Sequence, residues 1–176
     1  MTAPRCFGFV LVMVAAPSPT APSCPEDEGG SPLAALRPQV TEDVTRGAAR
    51  VMMEGGYAIL TEMRLPNGLR ADLMAIGPRG EIAIIEVKSC QADFDADSKW
   101  QGYRDYADLF YFAVPEDFPQ DLLLPSAEGL IVADRFGGAI LRPPIKRKLA
   151  AARRKALTLS FARRAALRQW PDVPSP

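Results

Sequence analysis

The sequence predicts an α/β fold in which a mixed β-sheet carries helices on its faces. From residue 39 onward, one helical pattern is followed by three consecutive strand patterns, a second helix and a fourth strand. A short helix, a hairpin and a long basic helix then close the chain. The order α-β-β-β-α-β with these additions is typical of a mixed sheet flanked by helices.

The 176 residues are about the length of one domain, so we expect a single core with tails. Residues 1–38 are expected to be a disordered extension, because residues 17–38 hold six prolines and an acidic, glycine-rich patch that cannot bury a core. The apolar run at 6–16 has the form of a secretory signal and is too short to span a membrane. We favour a misassigned start codon or a nonfunctional extension over a signal. The folded domain is expected at 39–170, with a tail at 171–176.

The first helix is expected to begin at Thr41, a suitable N-cap, and to end at the glycine pair 55–56. Strands are expected over residues 57–65, 70–77 and 81–89, separated by Pro-Asn-Gly and Gly-Pro-Arg-Gly turns. The run into the last of these strands is apolar at nearly every position. This is typical of a central strand covered on both faces.

A second helix is expected over about residues 98–107, with Asp97 or Ser98 as its N-cap. The acidic residues before it do not complete a calcium loop. The aromatic stretch at 109–115 predicts the fourth strand, and the last hairpin is expected to turn at residues 137–138.

The net charge of zero conceals a strong asymmetry along the chain. Eleven Lys or Arg and no Asp or Glu lie between residues 135 and 171. Nine of these basic residues lie in the predicted final helix, which is expected to dock through Leu149, Ala152, Ala156 and Leu159. We favour phosphate contact by this helix, with salt-dependent and sequence-independent affinity, over a merely solvated surface.

The chain contains no histidine, which excludes Ser-His-Asp and Cys-His nucleophiles, histidine zinc sites and histidine bases. Three scattered cysteines without a CxxC pair predict neither a disulfide framework nor a zinc site. This fits a reducing, cytoplasmic location. Catalysis would therefore use carboxylates, lysine, a hydroxyl, a thiol or a metal held by oxygen ligands.

The candidate site lies on the predicted hairpin, where Asp72 precedes the turn and Glu86 and Lys88 follow it. Residues two apart on a strand share a face, and pairing about the turn brings Asp72 opposite Glu86. Two carboxylates, a carbonyl and waters are ligands that Mg²⁺ prefers, and the lysine could orient or activate the attacking water. A solvated strand end is the alternative, but the apolar run into Glu86 means that a charge there needs compensation.

This arrangement resembles the PD-(D/E)XK nuclease superfamily. More closely, GYAILTEMRLPNGLRADLMAIGPRGEIAIIEVKSCQADFDADSKWQGYRDYADLFYFAVP is similar to the MmcB-like endonucleases of bacterial DNA repair. The likeness continues through GLIVADRFGGAILR and RKLAAARRKALTLSFARRAALR and covers about residues 39–169. It implies a restriction-endonuclease-like core that cuts DNA, damaged or branched DNA being the suspected substrate, with Mg²⁺ or Mn²⁺.

Carried over residue by residue, the resemblance makes Asp72 and Glu86 the metal-binding acids and Lys88 the catalytic lysine. The carbonyl of Val87 matches the backbone metal ligand. Ala71 replaces the proline of the superfamily motif. The Gln101-to-Tyr106 spacing is one residue longer than the Q-x-x-x-Y motif of related exonucleases.

Several other residues are candidates for the same site. Glu62 could approach the metal from the first strand, although an exposed strand charge is the simpler interpretation, and Glu42 and Asp43 are explained as acids near a helix start. Trp100 is expected in the core rather than as a base-stacking platform. The candidates for DNA contact are Arg70, Lys99, Gln101, Arg153 and Arg154.

The sequence supports two classes of function. One is a metal-dependent DNA endonuclease of the repair type, and the other is a catalytically silent nuclease-fold module that binds DNA and recruits other repair factors. No membrane partner is expected. A homodimer is one candidate assembly.

Overall fold

A computed structural model describes residues 32–97, 99–123 and 128–170. Its elements in chain order are α1 (Pro32–Glu54), β1 (Ala58–Arg64), β2 (Arg70–Ile76), β3 (Ile82–Val87), α2 (Gln91–Ala96), a 3₁₀ helix (Trp100–Tyr106), β4 (Leu109–Val114), a second 3₁₀ helix (Gln120–Leu123), β5 (Gly129–Asp134), β6 (Gly137–Arg142) and α3 (Ala151–Leu167). The mixed α/β architecture confirms the predicted fold class.

The six strands form one sheet in the order β1-β2-β3-β4-β5-β6. β1, β2 and β3 are antiparallel, β3, β4 and β5 are parallel, and β6 returns antiparallel to β5. Every residue of β3 is buried, as the apolar run predicted. Burial on both faces makes β3 a rigid platform for whatever its last residues carry.

Different helices cover the two faces of the sheet. α1 packs on one face through residues such as Val44 and Met52. The first 3₁₀ helix and α3 cover the other face, where Tyr103, Leu157 and Phe161 join the aromatic core of β4. The candidate site lies on this second face.

α1 begins at Pro32, nine residues before the predicted cap at Thr41, so the cap assignment is wrong. The Thr41 hydroxyl donates a hydrogen bond to the carbonyl of Arg37, a bond typical of a helix interior. The helix thus crosses the boundary predicted between residues 38 and 39. The division of the chain into extension, domain and tail stays a prediction, and residues 1–31 and 171–176 lie outside the described residues.

Two local predictions in the second half are also corrected. The helix expected over 98–107 is instead a short α2 followed by the 3₁₀ helix. Gly102 lets the 3₁₀ helix lie close to Leu69, because a Cβ there would come within 2.9 Å of that side chain. The last hairpin does not turn at residues 137–138, which begin β6. The Asp134 carboxylate accepts hydrogen bonds from the N–H groups of Phe136 and Gly137 and so closes the turn two residues earlier.

The final helix is shorter than expected and docks through different residues. Before it, the N–H groups of Arg147 and Leu149 donate to the carbonyl and the carboxylate of Asp108, so this segment cannot continue the helix. The buried residues of α3 are Leu157 and Phe161. Of the four predicted docking residues only Leu149 is buried; the others are exposed: Ala152, Ala156 and Leu159.

Candidate functional site

Asp72 and Glu86 face each other across the β2–β3 pair. The last paired residues are Leu73 and Ile85, and the next position on each strand carries a carboxylate. There the Asp72 N–H donates to Oε1 of Glu86 at 3.2 Å, and the Val87 N–H donates to Oδ2 of Asp72 at 2.8 Å. The two side chains thus replace the backbone ladder where the strands separate, and this fixes both carboxylates.

Lys88 lies on the same face as Glu86, two residues further along the chain. Its backbone N–H donates to the carbonyl of Ala113 on β4, which continues the parallel pairing. Its ammonium is 2.5 Å from Oδ2 of Asp97, and the Lys88 side chain is only 9% exposed. Asp97 in turn accepts the N–H of Lys99. The segment after α2 therefore holds the ammonium at a fixed place beside the carboxylates.

The electrostatics of the site are those of crowded, buried acids. Burial raises the pKa of Asp72, against the opposing effects of the Val87 N–H and the Lys88 charge. Burial, together with the charge of Asp72, raises the pKa of Glu86 to about 8. Burial works against the ionised form of Asp97 as well, but the hydrogen bond and charge of Lys88 and the backbone N–H groups that follow together outweigh it and lower the pKa of that carboxyl. The neighbouring ammonium alone does not neutralise the pair Asp72 and Glu86.

Glu62 extends the row of acids onto β1. Its neighbours Thr61 and Met63 pair with Leu73 and Ala71, so Glu62 lies opposite Asp72. Its φ of 58° is the only positive value of a non-glycine residue in the described part of the chain, and such a backbone marks local strain. Nε of Arg70 is 2.6 Å from Oε2 of Glu62 but is not aligned as a hydrogen bond, and this buried oxygen accepts none from the described residues.

Tyr103 is a neighbour of the site that the sequence did not single out. Its hydroxyl donates to the carbonyl of Arg70 at 2.9 Å. Burial and then the charge of Glu86 raise the pKa of this phenol. Only the packing of the 3₁₀ helix on β2 shows that the polar end of Tyr103 reaches the acids.

A divalent cation fits these residues in its donor chemistry. Asp72 and Glu86 supply hard oxygen ligands, and the raised pKa values show two acids whose negative charge lacks full compensation. Glu62 differs from them, because the Arg70 guanidinium lies 2.6 Å from its Oε2 and offsets its charge. Among the described residues, no three Asp, Glu or Cys side chains converge closely enough to hold a metal by themselves. A backbone carbonyl and water would have to complete the coordination.

The MmcB-like family, described as DNA repair protein MmcB-like, matches this chain over residues 31–171. The chain belongs to the MmcB-like family. Its fold is similar to that of a protein of unknown function from Silicibacter pomeroyi, with 42% sequence identity and a TM-score of 0.73 over 78% of this chain and 96% of that one. No curated protein matches the chain. MmcB-like membership indicates a role in DNA repair and hence an interaction with DNA.

The structure brings two of the predicted DNA-contact residues of this MmcB-like protein to the site. Arg70 lies beside Glu62, and Lys99 is exposed with its N–H bound to Asp97. Gln101 is exposed on the 3₁₀ helix. Trp100 packs on the rings of Phe110 and Phe112, as expected of a core residue.

Arg153 and Arg154 are not brought to the site. Arg154 binds the buried carboxylate of Asp108, which also accepts the N–H of Ile82 at the first residue of β3. Arg153 lies over the ring of Tyr106. Glu42 and Asp43 lie on α1, on the opposite face of the sheet, where Glu42 pairs with Arg46.

Within the described ranges, none of the MmcB-like protein's helices is long and apolar enough to cross a membrane.

Proposed function

We propose that the chain is a metal-dependent endonuclease that hydrolyses DNA phosphodiester bonds during DNA repair in the cytoplasm. The observation that carries the proposal is the meeting of Asp72, Glu86 and Lys88 on one face of the sheet, at the end of the fully buried strand β3. The two acids take over backbone hydrogen bonds where the strands separate, but neutral side chains could do the same without the free-energy cost of burying charge.

In the proposed site Asp72, Glu86 and the carbonyl of Val87 hold Mg²⁺ or Mn²⁺. The ion, when bound, supplies Lewis acidity toward a phosphate oxygen and lowers the pKa of a bound water. Glu62 is a further acid on the neighbouring strand. Its strained backbone and its place opposite Asp72 support a position near the same cation, although Arg70 already pairs with its carboxylate.

Lys88 carries the second part of the proposed chemistry. An ammonium has three donors, and Asp97 takes one of them. The remaining donors can orient the attacking water and offset the charge that develops on the phosphate. Because the Lys88 side chain is almost fully buried, little rotamer freedom remains to be lost when the substrate binds.

The test is cleavage of a panel of nicked, flapped, branched and duplex DNAs with Mg²⁺ or Mn²⁺. We expect wild type to cut at least one substrate and Asp72→Asn to lose about a thousandfold or more in rate. Glu54→Gln, an exposed acid-to-amide change at the end of α1, is the matched control and should cut like wild type. Binding by wild type with no cutting beyond that of Asp72→Asn would contradict the proposal and favour the non-cleaving DNA-binding module.

A further inference from the structure

A groove of about 830 Å³ separates α3 from the edge strand β1. We propose that this groove binds single-stranded DNA, with its phosphates on the arginines and its unpaired bases on Trp170 and the apolar side chains beside it. The inference deepens the proposed function. It rests on that function only in assuming that the bound strand is a substrate for cleavage. The binding itself can be tested without cleavage.

The positive charge of the groove favours a polyanion as its ligand. Four arginines line the groove, Arg64 from β1 and Arg163, Arg164 and Arg168 from α3 and its C-terminal turn, and no described lining residue is acidic. None of the four forms an ion pair within the described part of the chain. Arginines left without acidic partners around one concave surface are suited to successive phosphates.

The exposed apolar side chains of the groove favour single-stranded DNA, whose bases are accessible. Trp170 is 69% exposed and Leu159 is 60% exposed, and both line the groove. An exposed indole among cationic side chains is the arrangement that stacks unpaired bases in single-strand binding proteins. The bases of an intact duplex are stacked on each other and would leave this surface unused.

The position of the groove ties it to the candidate site. Met63 and Arg64 line it and directly follow Glu62 on β1. The Arg168 guanidinium donates to the carbonyl of Thr61, on the other side of Glu62. A strand lying in the groove would therefore pass the end of the sheet that carries the acids.

The test is fluorescence anisotropy in EDTA with a labelled oligothymidine and a labelled duplex of equal length. We expect Arg163→Gln/Arg168→Gln to weaken oligothymidine binding about tenfold or more. Arg163→Gln alone should weaken it several-fold and leaves the contact of Arg168 with β1 intact. The control Arg135→Gln/Lys146→Gln removes the same charge at exposed positions outside the groove and should keep affinity within about twofold.

The stacking part of the inference has its own variant. Trp170→Ala should weaken oligothymidine binding about tenfold and change duplex binding by less than about twofold. Groove variants that bind oligothymidine as well as the control would overturn the inference, and so would an equal loss for strand and duplex in Trp170→Ala. If groove binding is found as expected and wild type never cuts DNA, the inference holds and only the nuclease proposal fails.

Discussion

Glu86 is a carboxyl group with 4% exposure at the end of a strand whose other residues are all apolar. Its pKa of about 8 reports how poorly the metal-free protein accommodates its charge. Such a residue lowers stability, and natural proteins keep such residues mainly where function requires them. At the residue scale, the site is therefore a place where the fold is less stable than it could be.

The stability cost of Glu86 should be visible as a pH dependence. In the unfolded chain the group ionises near 4.5, whereas in the metal-free folded protein it keeps its proton to about 8. Unfolding between these values releases a proton, so rising pH favours unfolding. In EDTA, the free energy of unfolding of wild type should fall relative to Glu86→Gln by up to roughly 1.4 kcal/mol per pH unit in this window. Parallel pH profiles from urea denaturation would contradict the assignment.

Asp97 is the residue that we expect to position Lys88. Asp97→Asn keeps an oxygen for the Lys99 N–H but removes the ion pair. We expect a loss of about 10- to 100-fold in cleavage rate, because the ammonium loses its fixed place. Stabilisation by Mg²⁺ against heat should persist, since Asp97 is not among the proposed ligands.

A double-mutant cycle separates this role from a structural one. In a Lys88→Met background, Asp97→Asn should add little, because the interaction is already absent. Full additivity of the two rate losses would show that Asp97 does not act through Lys88.

At the scale of elements, Asp108 links the start of β3 to α3 and to the segment that precedes it. Its buried carboxylate accepts hydrogen bonds from the N–H groups of Ile82 and Leu149 and from the guanidinium of Arg154 on α3. Burial opposes ionisation, but the hydrogen bonds from Arg154 and the backbone prevail and lower the pKa of Asp108. The contact fixes where the last helix begins and which of its faces meets the sheet.

Loss of this carboxylate should destabilise the fold. We expect Asp108→Asn to cost about 3 kcal/mol at pH 7, because Arg154 is left without its charge partner. Since the pKa of Asp108 lies lower in the folded protein than the usual 3.8, the contribution is present above that value and is lost as pH falls below it. Urea denaturation at pH 7 and pH 3 should show the difference shrinking. An Asp108→Asn effect no larger than that of the exposed control Asp105→Asn would refute this role.

Elements with strong local signals were predictable. The strands β1 to β4 follow from apolar runs between turn sequences, and the hairpin turn fixes the register that brings Asp72 opposite Glu86. The start of α3 was not predictable, because it depends on Asp108, a residue about forty positions earlier that takes the N–H groups of Arg147 and Leu149.

At the scale of the whole molecule, the sequence did not predict those site residues whose position depends on packing between segments distant in the chain. Asp97 and Tyr103 reach the acids only because the connection from β3 to β4 folds over the second face of the sheet. The basic excess of the last helix was evident from the sequence. The sequence did not show which arginines are available for DNA. Arg154 is bound to Asp108, whereas Arg163 and Arg168 line the groove at β1.

In the proposed account, DNA binding by the groove and DNA cleavage by the acids use neighbouring parts of one face of the sheet. We propose that the arginines bind the strand independently of any cation and that Asp72, Glu86 and Lys88 act on it only when a cation is bound. EDTA should therefore abolish cleavage and leave oligothymidine binding in place. Binding should weaken as salt rises, as expected for phosphate contacts.

The most direct test of the central claim is the initial rate of DNA cleavage by wild type, Asp72→Asn and Lys88→Met, purified side by side and assayed with Mn²⁺ on a DNA with a single-stranded branch. The account predicts cutting by wild type, its loss in both variants, and unchanged DNA binding by all three in EDTA. Equal rates in wild type and Asp72→Asn, or no cutting by a wild-type protein that binds the DNA, would contradict it.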